Sequence, residues 1–139
     1  MTALNSKEKE GLRMFMDIGC TTCHVGATLG GTMLQKFPLI GTDYKTLTGS
    51  IIDDKGKFKF NNIEADKYLF KVPSLFNITE MYPYFHDGSI KDLSSAIKIM
   101  AKLQLNKDLT DNQVQSIMDF LGALKAEIPA ILIQETKLP

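Results

Sequence analysis

Five consecutive residues, Cys20-Thr21-Thr22-Cys23-His24, hold both cysteines of the chain and one of its two histidines. No other stretch constrains the fold as tightly. On one helical turn, positions i, i+3 and i+4 lie on the same face, so both thiols and the imidazole point to one side. Thiols at that spacing can bond the two vinyl-derived carbons at one edge of a porphyrin. The imidazole of His24 then reaches the iron as proximal ligand. Cys-x-x-Cys-His is the attachment signature of c-type haem. The glycines that follow in "VGATLGG" let backbone pass close to a large flat cofactor.

The rival readings of the same residues are weaker. A Cys20–Cys23 disulfide would close too small a loop to restrict the unfolded chain. A thioredoxin-like dithiol sits between a strand and a helix, a context missing here. A zinc site needs two more ligands, and His86 supplies at most one beyond His24. Adjacent Cys23 and His24 are also awkward on a tetrahedral ion.

A chain of 139 residues reads as one domain, 1–139, with room for a single core. Sixteen basic and sixteen acidic residues are scattered, without the basic stripe of a nucleic-acid binder. Apolar runs such as "IPAILI" are far too short to span a membrane. Residues 1–18 read as a charged amphipathic helix and not as a secretion leader, so an exported form has lost its signal. Thioether formation requires reduced thiols and haem outside the cytoplasm. The expected location is therefore periplasmic or otherwise extracytoplasmic.

Asn5 or Ser6 caps a first helix, with Glu8 as capping-box partner, an apolar face of Leu12, Phe15 and Met16, and a stop at Gly19. The region Gly26–Gly49, rich in glycine, reads as mostly loop. "SIIDDKGKFKF" admits a small hairpin near 51–60. A short helix over 64–70 ends where Pro73 restrains Val72. Asp92 caps a helix carrying Leu93, Ala96, Ile97 and Met100 at helical spacing. Thr110, paired with Gln113, opens a last helix with Val114, Ile117, Met118, Leu121 and Leu124 on its buried stripe. The fold class is all-α, a cytochrome c-like helical domain with long loops around one covalently bound haem.

For the sixth ligand, spacing alone leaves Met33, Met81, Met100 and His86 in competition among seven methionines and two histidines. A resemblance narrows this. The run "FKVPSLFNITEMYPYFHDGSIKDLSSAIKIMAKLQLNKDLTDNQVQSIMDFLGAL", residues 70–124, with "CTTCHVGATLGGTMLQKF" before it, resembles the carboxy-terminal domain of bacterial dihaem cytochrome c peroxidases. That domain carries the electron-transferring haem, ligated by His and Met. The family's axial methionine follows the histidine of its His-Asp-Gly motif by fourteen positions, and Met100 stands fourteen after His86. The resemblance thus implies Met100 as distal ligand and His86 as a hydrogen-bonded loop residue, with Asp87 and Gly88 shaping its turn.

The sequence also departs from the family. It has no second Cys-x-x-Cys-His and no tryptophan. Phe76 replaces the arginine of "SLRN", leaving Lys71 as the nearest cationic substitute for anchoring a haem propionate. Met81 occupies a usual threonine position at the family's calcium site, so no functional calcium is expected. The resulting expectation is a monohaem electron carrier with His24/Met100-ligated iron, more carrier than enzyme. Its partners would be redox proteins, with neither nucleic acid nor a membrane span. The alternatives are a single-haem peroxidase using His86 or Glu80, and a haem-based redox or gas sensor.

Overall fold

The computed structural model describes residues 4–41 and 44–127. Helix α1 (Ser6–Ile18) begins with a reciprocal capping box: the Glu8 amide donates to Asn5 Oδ1 at 3.0 Å, and the Asn5 amide donates to the Glu8 carboxylate at 2.7 Å. It ends at Gly19, whose left-handed backbone lets its amide turn back onto the carbonyls of Phe15 and Met16. Strand β1 (Leu34–Lys36) and the short helices α2 (Tyr44–Thr48) and α3 (Phe58–Asn61) follow, then strand β2 (Leu69–Lys71). Helix α4 (Leu93–Leu105) is capped by Asp92, and α5 (Asp111–Gly122) opens with the Thr110/Gln113 box. All three long-helix starts lie where the capping residues put them.

Helices α1 and α5 pack face to face, and Gly11 explains how closely. A Cβ at that position would lie 1.9 Å from the Ser116 carbonyl oxygen and 2.8 Å from Phe120 Cβ. A mid-helix glycine costs roughly 1 kcal/mol in propensity, and here it permits the crossing. Phe15 and Phe120 meet beside it at 5.4 Å between ring centroids. The inward face of α1 is therefore Gly11, Phe15 and Ile18, whereas Met16, expected on that face, is 54% exposed. On α5 the stripe includes Phe120, and Met118 is only half-buried.

Three expectations are corrected. The fold is mostly helical but not all-α: β1 and β2 form an antiparallel ribbon, with Leu34 opposite Lys71, Gln35 opposite Phe70 and Lys36 opposite Leu69. β1 and α2 are the short elements within 26–49, a stretch otherwise without helix or strand among the described residues. Residues 64–70 contain one 3-10 turn, Glu64–Asp66, before the chain extends into β2. The β1 edge and the approach to Pro73 outweigh helix propensity there. No hairpin forms over 51–60. The Asp54 carboxylate accepts the Gly56 amide at 2.9 Å and turns the chain, Gly56 bridges to Leu69, and α3 follows.

Two apolar clusters result. One gathers Phe15, Ile18, Leu75, Ile117, Phe120 and Leu121. The other gathers Phe37, Tyr44 and Leu103, with Phe70, Phe85, Ile99 and Met100 packed against them. Helix α4 serves both, offering Leu93, Ile97 and Leu105 to the first and Ile99, Met100 and Leu103 to the second.

Candidate functional site

Gly19 launches a tight 3-10 turn, Cys20–Thr22, directly beyond α1. The Cys20 carbonyl accepts both the Cys23 amide at 3.3 Å and the His24 amide at 3.0 Å. The two thiols and the imidazole thus issue from a single turn anchored to α1. Both cysteines are half-buried and free of any disulfide. Cys20 packs on the first cluster, and burial pushes its thiol up to about 11. Gln35 Nε2 lies 3.7 Å from the Cys23 sulfur, placing the inward side of the ribbon against the motif.

His24 is oriented from behind. Its Nδ1 lies 3.0 Å from the Leu29 carbonyl, and an acceptor there assigns the ring proton to Nδ1. Nε2 then keeps its lone pair. Burial is the largest influence on the ring and lowers its pKa, so the neutral form, the one a metal requires, is favoured; the Leu29 and Pro73 carbonyls oppose this more weakly. The loop 25–31 is built to supply the contact: Leu29 itself takes positive φ, and Gly30 lies against Pro73 and His24. A carbonyl behind Nδ1 is the usual way a ligating histidine is held.

The methionine candidates now separate by environment. Met81 is 60% exposed beyond the 3-10 turn Ile78–Glu80. Met33 is half-buried ahead of β1, with its carbonyl accepting the Val72 amide. Met100 packs against Phe37, Tyr44 and Leu103 in the second cluster. The His86 ring stacks on Phe70 at 4.2 Å and meets the edges of Tyr44 and Phe37. Among the described residues it has aromatic contacts in place of the expected hydrogen bond. Asp87 and Gly88 do form the adjoining turn, with Asp87 Oδ1 accepting the Ser89 amide and Gly88 at positive φ.

Lys71, the nearest cationic substitute for a propionate anchor, lies on β2. It pairs with Leu34 on the side of the ribbon opposite Gln35 and Phe70, and is exposed. Glu80, a candidate acid, is held at the surface by Lys125 at 3.0 Å. Among the described residues no three His, Cys, Asp or Glu side chains are placed to share a metal ion. Nor is any helix there long and apolar enough to cross a membrane. Sequence reasoning did not single out Leu29 or Gln35. The double glycine hinted at a close approach around Leu29, but nothing marked Gln35.

No family model matches the chain. It is 36% identical over 129 residues to cytochrome c551 peroxidase of Pseudomonas aeruginosa, covering 93% of this chain and 37% of that protein. It is 38% identical over 127 residues to cytochrome c551 peroxidase of Nitrosomonas europaea, covering 91% of this chain and 36% of that protein. The chain thus spans little more than a third of these relatives. Among solved structures, a MauG-like protein associated with microbial copper homeostasis superposes with a TM-score of 0.72 at 22% identity, over 90% of this chain and 48% of that one. That likeness establishes the fold.

Proposed function

We propose that this chain, similar along nine-tenths of its length to part of the cytochrome c peroxidases, is a c-type haem domain that passes single electrons between redox proteins outside the cytoplasm. The observation that carries the reading is His24, its neutral form favoured by burial and its Nδ1 held by the Leu29 carbonyl so that Nε2 is free, on the same turn as Cys20 and Cys23. Those three residues suit covalent attachment and proximal ligation, and Met100 suits the distal position. The apolar and aromatic side chains on either flank of α4 suit the hydrocarbon faces of a porphyrin. Bound there, haem c would supply a one-electron ferric/ferrous couple, which a methionine ligand biases toward the reduced state.

The chain's own residues do the rest. Leu29 fixes the ring of His24, Cys20 and Cys23 bind, and Phe37, Tyr44 and Leu103 exclude water around Met100. A second reading, peroxide turnover, follows from the relatives' names and needs an acid or base near the distal side. Tyr44 commits its hydroxyl to the Ile52 carbonyl at 2.8 Å, Glu80 pairs with Lys125, and His86 lies stacked and exposed. These placements favour the carrier.

Denaturing mass spectrometry of protein matured in an exporting host tests the assignment and should give the chain plus one haem. The oxidised protein should show the near-infrared band of methionine ligation. Met100→Ala should remove that band, lower the potential and admit carbon monoxide, while Met33→Ala and Met81→Ala leave the spectrum intact. Apo mass, or sustained wild-type peroxide turnover abolished by replacing His86 or Glu80, would overturn the carrier reading.

A further inference from the structure

We propose that Lys107 is a positioning residue for the haem: its ammonium clasps the end of α1 to the end of α4 and holds a positive charge beside the attachment turn. The proposal rests on the haem reading above. Lys107 Nζ donates to the Ile18 carbonyl at 2.8 Å, a contact between residues 89 positions apart. Ile18 is the last residue of α1, and Gly19 beyond it launches the turn that bears Cys20, Cys23 and His24. Met100 stands on α4, and Lys107 follows directly on the residue that caps that helix. The clasp therefore joins the proximal segment to the distal one.

Both ends of the clasp are prepared for it. Asn106 takes a left-handed φ of 51° beyond α4, and the Lys107 amide donates back to the Ala101 carbonyl at 3.1 Å. That return is a Schellman turn, which fixes where the Lys107 side chain leaves the backbone. Leu105, just before it, packs on the first cluster, and a Cβ at Gly19 would meet its Cδ2 at 3.7 Å. On the other side, a helix C-terminus carries partial negative charge and favours a cation. The last turn of α1 has no basic residue of its own and contains Asp17. The Gly19 amide already occupies the Phe15 and Met16 carbonyls, which leaves Ile18 as an acceptor for Lys107. No carboxylate neutralises the charge: Lys107 makes no ion pair among the described residues, and the adjacent Asp108 is held by Lys102 at 2.7 Å. The ammonium is felt at Cys20, where it works against the effect of burial. A positive charge there favours ferrous over ferric iron and so raises the potential.

Potentiometry and amide hydrogen exchange on haem-loaded Lys107→Met, Lys107→Arg and Lys9→Met test the clasp. Lys107→Met nearly keeps the length of the side chain but loses both donor and charge. It should attach haem, yet shift the ferric/ferrous equilibrium about 3-fold or more toward ferric, about 28 mV at about 59 mV per tenfold. Exchange at the Gly19, Thr22 and His24 amides should speed up about 5-fold or more, as the end of α1 opens more often. Lys107→Arg keeps a donor and the charge and should restore both readings. Lys9→Met removes the same charge from an exposed position more than two turns back along α1, and should change neither. Should Lys107→Met attach haem poorly, Lys107→Gln, which keeps an N–H donor but no charge, carries the same measurement of potential. Either reading unchanged in Lys107→Met, an unchanged potential in Lys107→Gln, an equal shift in Lys9→Met, or no rescue by arginine would overturn the proposal. A wild type that carries no haem refutes the haem reading, and this proposal with it. A haem-loaded protein indifferent to Lys107 refutes the clasp alone.

Discussion

Replacing Gly30 by alanine is the sharpest test of how His24 is held. A Cβ there would lie 2.0 Å from the Pro73 carbonyl oxygen and 3.3 Å from His24 Nδ1, on a backbone with φ of 127°. Separating the two segments by more than about 1 Å relieves the overlap, but that gap breaks the seam between them. The seam comprises the Gly31 amide to the Val72 carbonyl at 2.8 Å, Ser74 Oγ to the Thr28 carbonyl at 2.8 Å, and the Leu75 amide to the same carbonyl at 3.3 Å. Losing two of these at about 1 kcal/mol each, with about 1–2 kcal/mol of backbone strain, gives a destabilisation of about 3–4 kcal/mol. Gly26→Ala is the control, since that position has φ of 78° and nothing within 4 Å of a new Cβ. Strain of about 1 kcal/mol is all it should show. Urea unfolding of both haem-loaded variants, followed by circular dichroism, measures the difference. Gly30→Ala should also shift the potential because it moves the carbonyl behind His24. Equal losses in the two variants would refute the packing of the 25–31 loop against Pro73.

Leu103 is completely buried, so Leu103→Ala should cost about 2–5 kcal/mol in chemical unfolding. His86→Ala removes the ring stacked on Phe70 and, if Met100 is the distal ligand as proposed, should lower the melting temperature while preserving the methionine band. Ser94 Oγ and the Ser95 amide hold the Asp92 carboxyl below its ordinary range. The stability this contributes is present above the unfolded carboxyl pKa of about 3.9 and is lost as pH falls through the lower folded value. Asp92→Ala should therefore cost about 1 kcal/mol at neutral pH and flatten the acid limb of the stability profile.

The legible parts of the chain were those specified by local chemistry. Asn5/Glu8, Asp92/Ser95 and Thr110/Gln113 each fix a helix start through bonds within four residues, so sequence order alone reveals them. The Cys-x-x-Cys-His turn is legible for the same reason. What escaped depends on partners far along the chain. β1 is a strand because residues 69–71 lie beside it, and neither segment alone alternates strongly enough to declare itself. Gly11 looks like a helix defect until Ser116 is brought against it. His86 looks like a hydrogen-bonding group until the fold brings Phe70 to stack on it and Tyr44 and Phe37 to its edges.

The same contrast explains why spacing could not choose among the methionines although the fold distinguishes them. At about 100° per residue, Met100 projects from α4 roughly 60° from Ile97 on one side and 60° from Leu103 on the other. Ile97 belongs to the first cluster and Leu103 to the second, so Met100 stands on the seam between them. Exposed Met81 and the loop-borne Met33 have no such position. If the seam sets ligation, then direction and not thioether content is what matters. The double variant Ile99→Met/Met100→Leu keeps the number of methionines and nearly conserves volume, with a packing penalty of about 1 kcal/mol. It turns the sulfur roughly 100° around the helix toward Phe37 and Tyr44. The variant should fold and attach haem, lose the near-infrared methionine band and bind carbon monoxide as readily as Met100→Ala. Retention of the band would mean that α4 does not set the sulfur's direction, and the distal assignment would pass to a methionine on a loop.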